Sequence, residues 1–199
     1  MADSLHILCI GNSHTAGFPL YDPFYGGNHE SSYEYWLKEK LKANIPEMDF
    51  KLENIGICGQ ISFNILQRLK KITDLAKYDI VLFWGGANDI GMGFDEQEIL
   101  KNLEQASIFC NGKKTTGFIL TIPPMNYEGL KEPVQRLNKL IKTNNNIKAI
   151  DVYKYLVKET ELNNDYGIGD GVHLSITGYR QVADAILPHV LKFISSSED

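Results

Sequence analysis

Short apolar runs alternate along the chain with longer segments whose apolar residues recur at helical spacing. Five of the short runs predict β-strands, at residues 6–10, 49–54, 79–84, 116–122 and 147–152. The third and fourth runs are almost wholly apolar, which is typical of strands that are covered on both faces.

Amphipathic helices are predicted in the intervals between the strands. The first begins near Ser31, which has the spacing of a capping box with Glu34, and ends before Pro46. Pro188 predicts a kink or a split in the last helix. The apolar stripes of the other helices are Ile61, Ile65, Leu66, Leu69 and Ile72; Ile99, Leu103 and Ala106, after Asp95 and Glu98 in the first turn; Val134, Leu137, Leu140 and Ile141; and Tyr179, Val182, Ala183, Ile186 and Leu187.

This order of elements predicts an α/β protein. Repeated strand–helix units imply right-handed crossovers and a five-stranded parallel sheet with helices on both faces. No internal repeat is present and 199 residues suit one domain, so we expect a single domain over residues 1–199. In such a sheet, ligands bind at the carboxyl ends of the strands.

Charge and composition limit the classes of partner. With 20 basic and 25 acidic residues, the net charge of -5 lacks the basic excess that nucleic acids and anionic membranes attract. No apolar run approaches the roughly 20 residues of a membrane span, and the N-terminus has no signal-peptide pattern. We therefore expect a cytoplasmic protein with no nucleic-acid or membrane partner and an unknown oligomeric state.

The cysteines and histidines do not have the spacing of a metal site. Cys9, Cys58 and Cys110 lie in apolar segments and form no CxxC pair, which predicts buried free thiols. No HxH or HExxH pattern occurs. We expect no bound metal.

Residues 11–17, Gly-Asn-Ser-His-Thr-Ala-Gly, follow the first predicted strand. Three interpretations are open: Ser13 as a nucleophile on a strand-to-helix turn, a turn that only caps the next segment, or a phosphate cradle of the flavodoxin type. The Walker pattern fails because no Lys follows Gly17, and the GxSxG pattern fails because Thr15 takes the place of the second glycine.

Two further motifs follow the second and third strands. The backbone N–H of Gly59, in residues 54–59, is a candidate donor to an oxyanion. The amide of Asn88, in residues 84–89, is a second candidate donor. Taken separately, each motif is better explained as a tight turn.

A fourth motif, Asp170-Gly171-Val172-His173, precedes the last helix. An aspartate and a histidine three residues apart in a helix-like turn face the same side. The carboxylate can then orient the imidazole, which is the arrangement that a catalytic triad requires. The alternative is a surface Asp–His pair next to a Ser175 helix cap.

Together, the four motifs resemble those of the GDSL-type esterases and lipases of the SGNH hydrolase superfamily, over nearly the whole chain. The four residues that give that superfamily its name fall on Ser13, Gly59, Asn88 and His173, and Asp170 completes the last motif. The usual Gly-Asp-Ser-Leu reads Gly-Asn-Ser-His here, so Asn12 and His14 depart from the pattern.

The resemblance implies a three-layer, flavodoxin-like sandwich and an ester hydrolase that needs no cofactor. Ser13 would be the nucleophile, His173 the general base and then acid, and Asp170 the group that orients the imidazole. The N–H groups of Ser13 and Gly59 and the Asn88 amide would form the oxyanion hole. His14 is a rival base, but adjacent side chains on a turn diverge and no carboxylate is placed to orient it.

The substrate is less constrained than the mechanism. Residues 18–28 are aromatic and residues 123–127 follow the fourth strand, so both are candidate walls of a substrate site. A soluble small-molecule ester, either a short-chain acyl ester or an acetylated carbohydrate, is favoured over a phospholipid. Two alternatives from other classes are a flavodoxin-like nucleotide or phosphate binder and a non-catalytic carbohydrate-binding module.

Overall fold

The computed structural model describes residues 4–196 and contains nine strands in that part of the chain. Five of them form a parallel sheet, and the other four form two antiparallel pairs of two-residue strands. In chain order they are β1 (Ser4–Gly11), β2 (Tyr21–Asp22), β3 (Gly26–Gly27), β4 (Asp49–Asn54), β5 (Ile80–Trp84), β6 (Thr116–Leu120), β7 (Lys148–Ile150), β8 (Val157–Lys158) and β9 (Glu161–Leu162).

The parallel sheet has the strand order β4-β1-β5-β6-β7. The chain adds β4 on one side of β1 and β5 on the other, so the direction of winding reverses at β1. The pairs Cys9–Asn54 and Gly11–Trp84 set the register, and the carboxyl ends of these three strands therefore lie side by side. This is the place where open α/β sheets bind their ligands.

Helices cover both faces of the sheet. The described residues form eight α-helices, with 3₁₀ turns at His29–Ser31 and Leu75–Lys77. They are α1 (Ser13–Ala16), α2 (Tyr33–Asn44), α3 (Ser62–Lys70), α4 (Ala87–Gly91), α5 (Glu96–Gly112), α6 (Lys131–Thr143), α7 (Tyr153–Leu156) and α8 (Ile176–Ser196). None of the helices between residues 4 and 196 is long and apolar enough to cross a membrane.

Two apolar cores lie on opposite faces of the sheet. In β1, Ile7 and Cys9 pack with α2 and α8, whereas Leu8 and Ile10 pack with α3, α5 and α6. Because both sets of alternate residues in β5 are buried, this strand is apolar without interruption. The α/β class, the five-stranded parallel sheet and the three-layer arrangement are confirmed; the single domain stays a prediction.

Several local predictions differ from the structure. Ser32, not Ser31, caps α2, because its side chain accepts from the backbone N–H of Tyr35 while Ser31 lies in a 3₁₀ turn. Helix α8 continues through Pro188, so the predicted split is absent, whereas a kink there stays a prediction. Strand β6 ends at Leu120 rather than at residue 122, because the N–H of Ile122 donates to Asn138 Oδ1 at 2.7 Å instead of to a strand.

The cysteine prediction is wrong at one position. Cys9 and Cys110 are buried free thiols, but Cys58 is exposed. Its apolar neighbours belong to the loop between β4 and α3 and not to a buried strand or helix, so the local apolar composition does not indicate burial there.

Candidate active site

Ser13 is the first residue of α1, directly beyond the carboxyl end of β1. The Asn12 side chain caps this short helix by accepting from the backbone N–H of His14 at 3.1 Å. The turn is tight: a Cβ atom on Gly11 would lie 2.1 Å from Thr15 Oγ1 and 2.5 Å from the Trp84 carbonyl oxygen. Only glycine fits there, and the turn places Ser13 at the rim of the sheet with 6% of its surface exposed.

Ser13, His173 and Asp170 form one line of hydrogen bonds. Ser13 Oγ lies 3.2 Å from His173 Nε2, and His173 Nδ1 lies 2.6 Å from Asp170 Oδ2. Because the carboxylate can only accept, the imidazole proton sits on Nδ1 and Nε2 is left to accept from the hydroxyl. The line has the geometry of a nucleophile, a base and an orienting carboxylate.

The His173 ring and the backbone beside it keep the Asp170 carboxylate ionised. Burial alone would raise the pKa of Asp170, but hydrogen bonds from the His173 ring and from the N–H groups of His173 and Val172 outweigh it and lower the pKa. Asp170 Oδ1 accepts the two backbone bonds at 2.8 and 2.9 Å, respectively. A carboxylate held in this way stabilises a positive charge on the neighbouring imidazole.

Two of the three candidate oxyanion donors follow the strands on either side of β1. Gly59 lies in the loop after β4 at a φ of +77°, and Asn88 lies in the first turn of α4, after β5. Asn88 Nδ2 donates to the Gln60 carbonyl at 2.9 Å. An amide nitrogen has two hydrogens, so this bond fixes the side chain and leaves one hydrogen for another acceptor.

Arg68 of α3 joins the end of β1 to the loop that follows β4. Its guanidinium donates to the carbonyls of Gly11 at 2.9 Å and Ile55 at 2.5 Å, and to Gln60 Oε1 at 2.7 Å. Within residues 4–196 it has no carboxylate partner, and burial lowers its pKa to about 10. Arg68 is not among the residues that the motifs predict for the site, although its place beside the apolar stripe of Ile65 and Leu69 indicates that its stem is covered.

A column of aromatic rings crosses the site from the core to the surface. Consecutive ring centroids lie 5.6 Å apart from Tyr33 to Trp84, 5.1 Å from Trp84 to His14, 5.5 Å from His14 to His173, and 4.6 Å from His173 to Phe18. His14 is buried, and its Nε2 bonds to the Val172 carbonyl at 3.0 Å. The structure therefore brings His173, and not His14, to the Ser13 hydroxyl.

The segments predicted as substrate walls lie in different surroundings. Phe18 is 39% exposed, and its carbonyl accepts from the Tyr179 hydroxyl at 3.1 Å. Of residues 123–127, the first three are buried, and Asn126 lines a cavity of about 220 Å³ that also borders Asp170. The remaining lining residues are Leu162, Asn163, Asn164, Gly167, Gly169 and Gly171.

Comparison with known proteins places these observations in a family. Residues 9–181 match the model of the GDSL-like lipase/acylhydrolase family. The fold is similar to that of an acetylxylan esterase from Geobacillus stearothermophilus, with a TM-score of 0.76, 19% identity and 96% of each chain covered. A member of the lipolytic protein G-D-S-L family from Veillonella parvula has a TM-score of 0.73 and 24% identity over 92% of this chain and 97% of the other.

A GDSL-like lipase from Bacteroides thetaiotaomicron is also similar, with a TM-score of 0.68 and 20% identity over 94% of this chain and 88% of the other. No curated protein sequence matches the chain. The fold and the family match define a carboxylic ester hydrolase. More particularly, the chain belongs to the GDSL-like lipase/acylhydrolase family, and the resemblance seen in its motifs is confirmed.

The described residues, 4–196, contain no group of three or more His, Cys, Asp or Glu side chains that could hold a metal ion. That a bound metal or cofactor plays no part in the reaction stays a prediction.

Proposed function

We propose that the protein hydrolyses short-chain carboxylic esters through an acyl-enzyme on Ser13. The observation that carries this proposal is the hydrogen-bonded line from Ser13 Oγ through His173 to Asp170, with distances of 3.2 and 2.6 Å. A serine hydroxyl is a weak nucleophile until a base takes its proton, and the line supplies that base together with the carboxylate that orients it.

The reaction has two halves. Ser13 Oγ attacks the ester carbonyl carbon while His173 Nε2 takes the hydroxyl proton, and the carbonyl oxygen becomes an oxyanion. The backbone N–H groups of Ser13 and Gly59 and the amide of Asn88 donate to that oxyanion. The ester C–O bond then breaks, and His173 gives its proton to the leaving alcohol. A water molecule, activated in the same way, releases the acid and restores Ser13.

Acetylated carbohydrates are the substrate class that we propose. The cavity bordering Asp170 contains three asparagines, Asn126, Asn163 and Asn164, and amides both donate to and accept from sugar hydroxyls. The exposed Phe18 ring beside His173 offers a face on which a sugar ring can stack. The small exposed surface of Ser13 suits an acetyl group better than a long chain.

The two alternatives have less support. A phosphate binder would use the hydroxyls of Ser13 and Thr15, but Thr15 is fully buried, and the Asp170–His173 pair would have no role. A non-catalytic carbohydrate-binding module would not need the serine–histidine contact at 3.2 Å.

Labelling and turnover test the proposal together. We expect a fluorophosphonate to modify Ser13 alone, as mapped by peptide mass spectrometry, and Ser13→Ala to lose both labelling and turnover. The exposed Ser196→Ala is the matched control and should behave as wild type. With nitrophenyl esters, kcat/KM should be highest for acetate and fall with acyl length, and acetylated xylo-oligosaccharides should release acetate.

Labelling of another serine, or full turnover by Ser13→Ala, would remove Ser13 from the mechanism. A kcat/KM that rises steadily with acyl length would overturn the short-chain assignment.

A further inference from the structure

His14 is one of the two departures from the usual motif, and the structure gives it a specific environment. Its ring is 1% exposed and lies between the rings of Trp84 and His173, with centroid distances of 5.1 and 5.5 Å. A buried imidazole in contact with the candidate base is therefore part of this site and not of the solvent-exposed surface.

One hydrogen bond fixes the state of the His14 ring. Its Nε2 lies 3.0 Å from the Val172 carbonyl oxygen, and since a carbonyl only accepts, Nε2 carries the proton. Nδ1 is then unprotonated, and it is buried without a partner among the described residues. Burial lowers the pKa of His14 to about 4, with the neighbouring His173 charge acting in the same direction. The ring is thus a neutral donor at neutral pH.

The hydrogen bond joins the two segments that carry the reacting groups. His14 follows Ser13 in α1, and Val172 precedes His173 in the loop before α8. Other bonds of this loop do not run to α1: the N–H of Asn126 donates to the Gly171 carbonyl at 2.8 Å, and within the loop itself the N–H of Ile168 donates to the His173 carbonyl at 3.1 Å. Besides the Ser13–His173 contact itself, the His14 bond joins the loop of the base directly to the helix of the nucleophile.

We propose that His14 is a positioning residue that holds His173 Nε2 in line with Ser13 Oγ through the Val172 carbonyl. This inference rests on the proposed function, in which that contact carries the proton transfer. Serine and histidine lie on elements 160 residues apart in sequence, and their contact is 3.2 Å. A displacement of about 1 Å at such a contact is enough to slow catalysis by about 10²-fold.

Three substitutions separate the hydrogen bond from ring packing. His14→Gln retains an amide donor of similar reach without the ring, His14→Phe retains a ring without the donor, and His14→Leu retains neither. In His14→Phe and His14→Leu, we expect kcat to fall by about 10–100-fold and KM to stay within about twofold of wild type. In His14→Gln, we expect kcat to remain close to that of the wild type. High activity in His14→Phe together with low activity in His14→Gln would overturn the proposal, because it would show that the packing of the ring matters and its hydrogen bond does not.

A second experiment tests whether His14 acts through His173. In a His173→Ala background the proton acceptor is gone, so adding His14→Leu should change the residual kcat by less than about twofold. An equal loss in both backgrounds would show that His14 acts on another part of the site and would contradict the proposal. Near-UV circular dichroism and Tm establish whether each variant is folded. If His14→Leu does not fold, the comparison of His14→Gln with His14→Phe still tests the proposal.

The outcomes also distinguish this inference from the proposed function. If Ser13→Ala keeps its activity, the proposed mechanism fails whatever His14 does. If Ser13 is labelled and required, but all three His14 variants keep wild-type kcat, only the positioning role fails.

Discussion

The carboxylate of Asp89 caps the first turn of α3 through Ser62. Its two oxygens accept from the Ser62 backbone N–H at 3.0 and 2.9 Å, and one of them accepts from the Ser62 hydroxyl at 2.5 Å. Asp89 follows Asn88, and Ser62 begins α3 directly after the loop that contains Gly59, so this contact joins the segments of two candidate oxyanion donors. Asp89 is buried, and burial raises its pKa.

Asp89→Ala should lower both stability and turnover. It leaves two buried donors of Ser62 without an acceptor, which costs about 1–3 kcal/mol in the free energy of unfolding, and it releases the Gly59 loop, which should lower kcat. Urea unfolding and steady-state kinetics measure the two effects. The matched control is Asp95→Ala, which removes the exposed cap of α5 and should cost about 0.5–2 kcal/mol with kcat unchanged. Equal kinetics in the two variants would remove Asp89 from the support of the site.

Asn88→Ala should lower kcat by about 10²–10³-fold, because one oxyanion donor is lost. KM should change little, since the donor acts on charge that develops in the transition state. Asn88→Asp should be slower still, because a carboxylate would face the developing negative charge. Steady-state kinetics and Tm of both variants test whether Asn88 is an oxyanion donor, and Asn146→Ala, at an exposed asparagine, is the control. Near-normal kcat with a lowered Tm would identify Asn88 as a turn residue only.

Arg68→Met should lower kcat and also destabilise the fold by about 1–3 kcal/mol, because the carbonyls of Gly11 and Ile55 lose a charged donor. Arg68→Lys should recover only part of the activity, since an ammonium cannot reproduce the planar fork of the guanidinium. Arg136→Met removes an exposed ion pair with Glu96 and should cost no more than about 1 kcal/mol, with kcat unchanged. Wild-type kcat in Arg68→Met would show that the end of β1 and the loop after β4 hold their positions without this side chain.

Glu34→Gln should stabilise the protein at alkaline pH. Burial raises the pKa of Glu34 to about 7, although Lys38 and Ser32 oppose the shift. The folded pKa is above the unfolded value, so the neutral group favours the folded state fully below about pH 4.5. That contribution is lost as the pH rises to about 7.

The gain from Glu34→Gln should therefore grow between pH 4.5 and 7, by at most about 3 kcal/mol, and stay constant above. Urea unfolding of both proteins at several pH values measures this gain, with the exposed Glu39→Gln in the same helix as control. A gain that does not depend on pH would show that Glu34 ionises freely in the folded protein.

Local sequence patterns were sufficient for the layers of the fold. The apolar runs of β5 and β6 and the stripes of α3, α5 and α6 reflect burial on the two faces of the sheet, which is set by the periodicity of each element alone. The ends of elements were harder. The cap at Ser32 and the end of β6 depend on which acceptor each backbone N–H meets, as Asn138 Oδ1 shows for the N–H of Ile122.

The motifs also predicted that Ser13, His173 and Asp170 would meet, and their side chains do form one line of hydrogen bonds. The contacts that support them were not readable from the chain. Arg68 and Gly11 are 57 residues apart, and His14 and Val172 are 158 residues apart. Nothing in the local pattern around either side chain indicates a carbonyl on a distant loop. The exposed Cys58 shows the converse error, in which apolar neighbours suggest burial in a segment that is a loop.

The column of rings from Tyr33 to Phe18 gives the protein a built-in optical reporter. Trp84 is buried, its indole N–H donates to the Thr121 carbonyl at 2.9 Å, and its ring faces His14, which in turn faces His173. The second tryptophan, Trp36, lies on α2 outside this column. A Trp36→Phe protein would therefore emit from Trp84 alone, and a change in the charge or tilt of either imidazole during a turnover would alter the intensity of that emission.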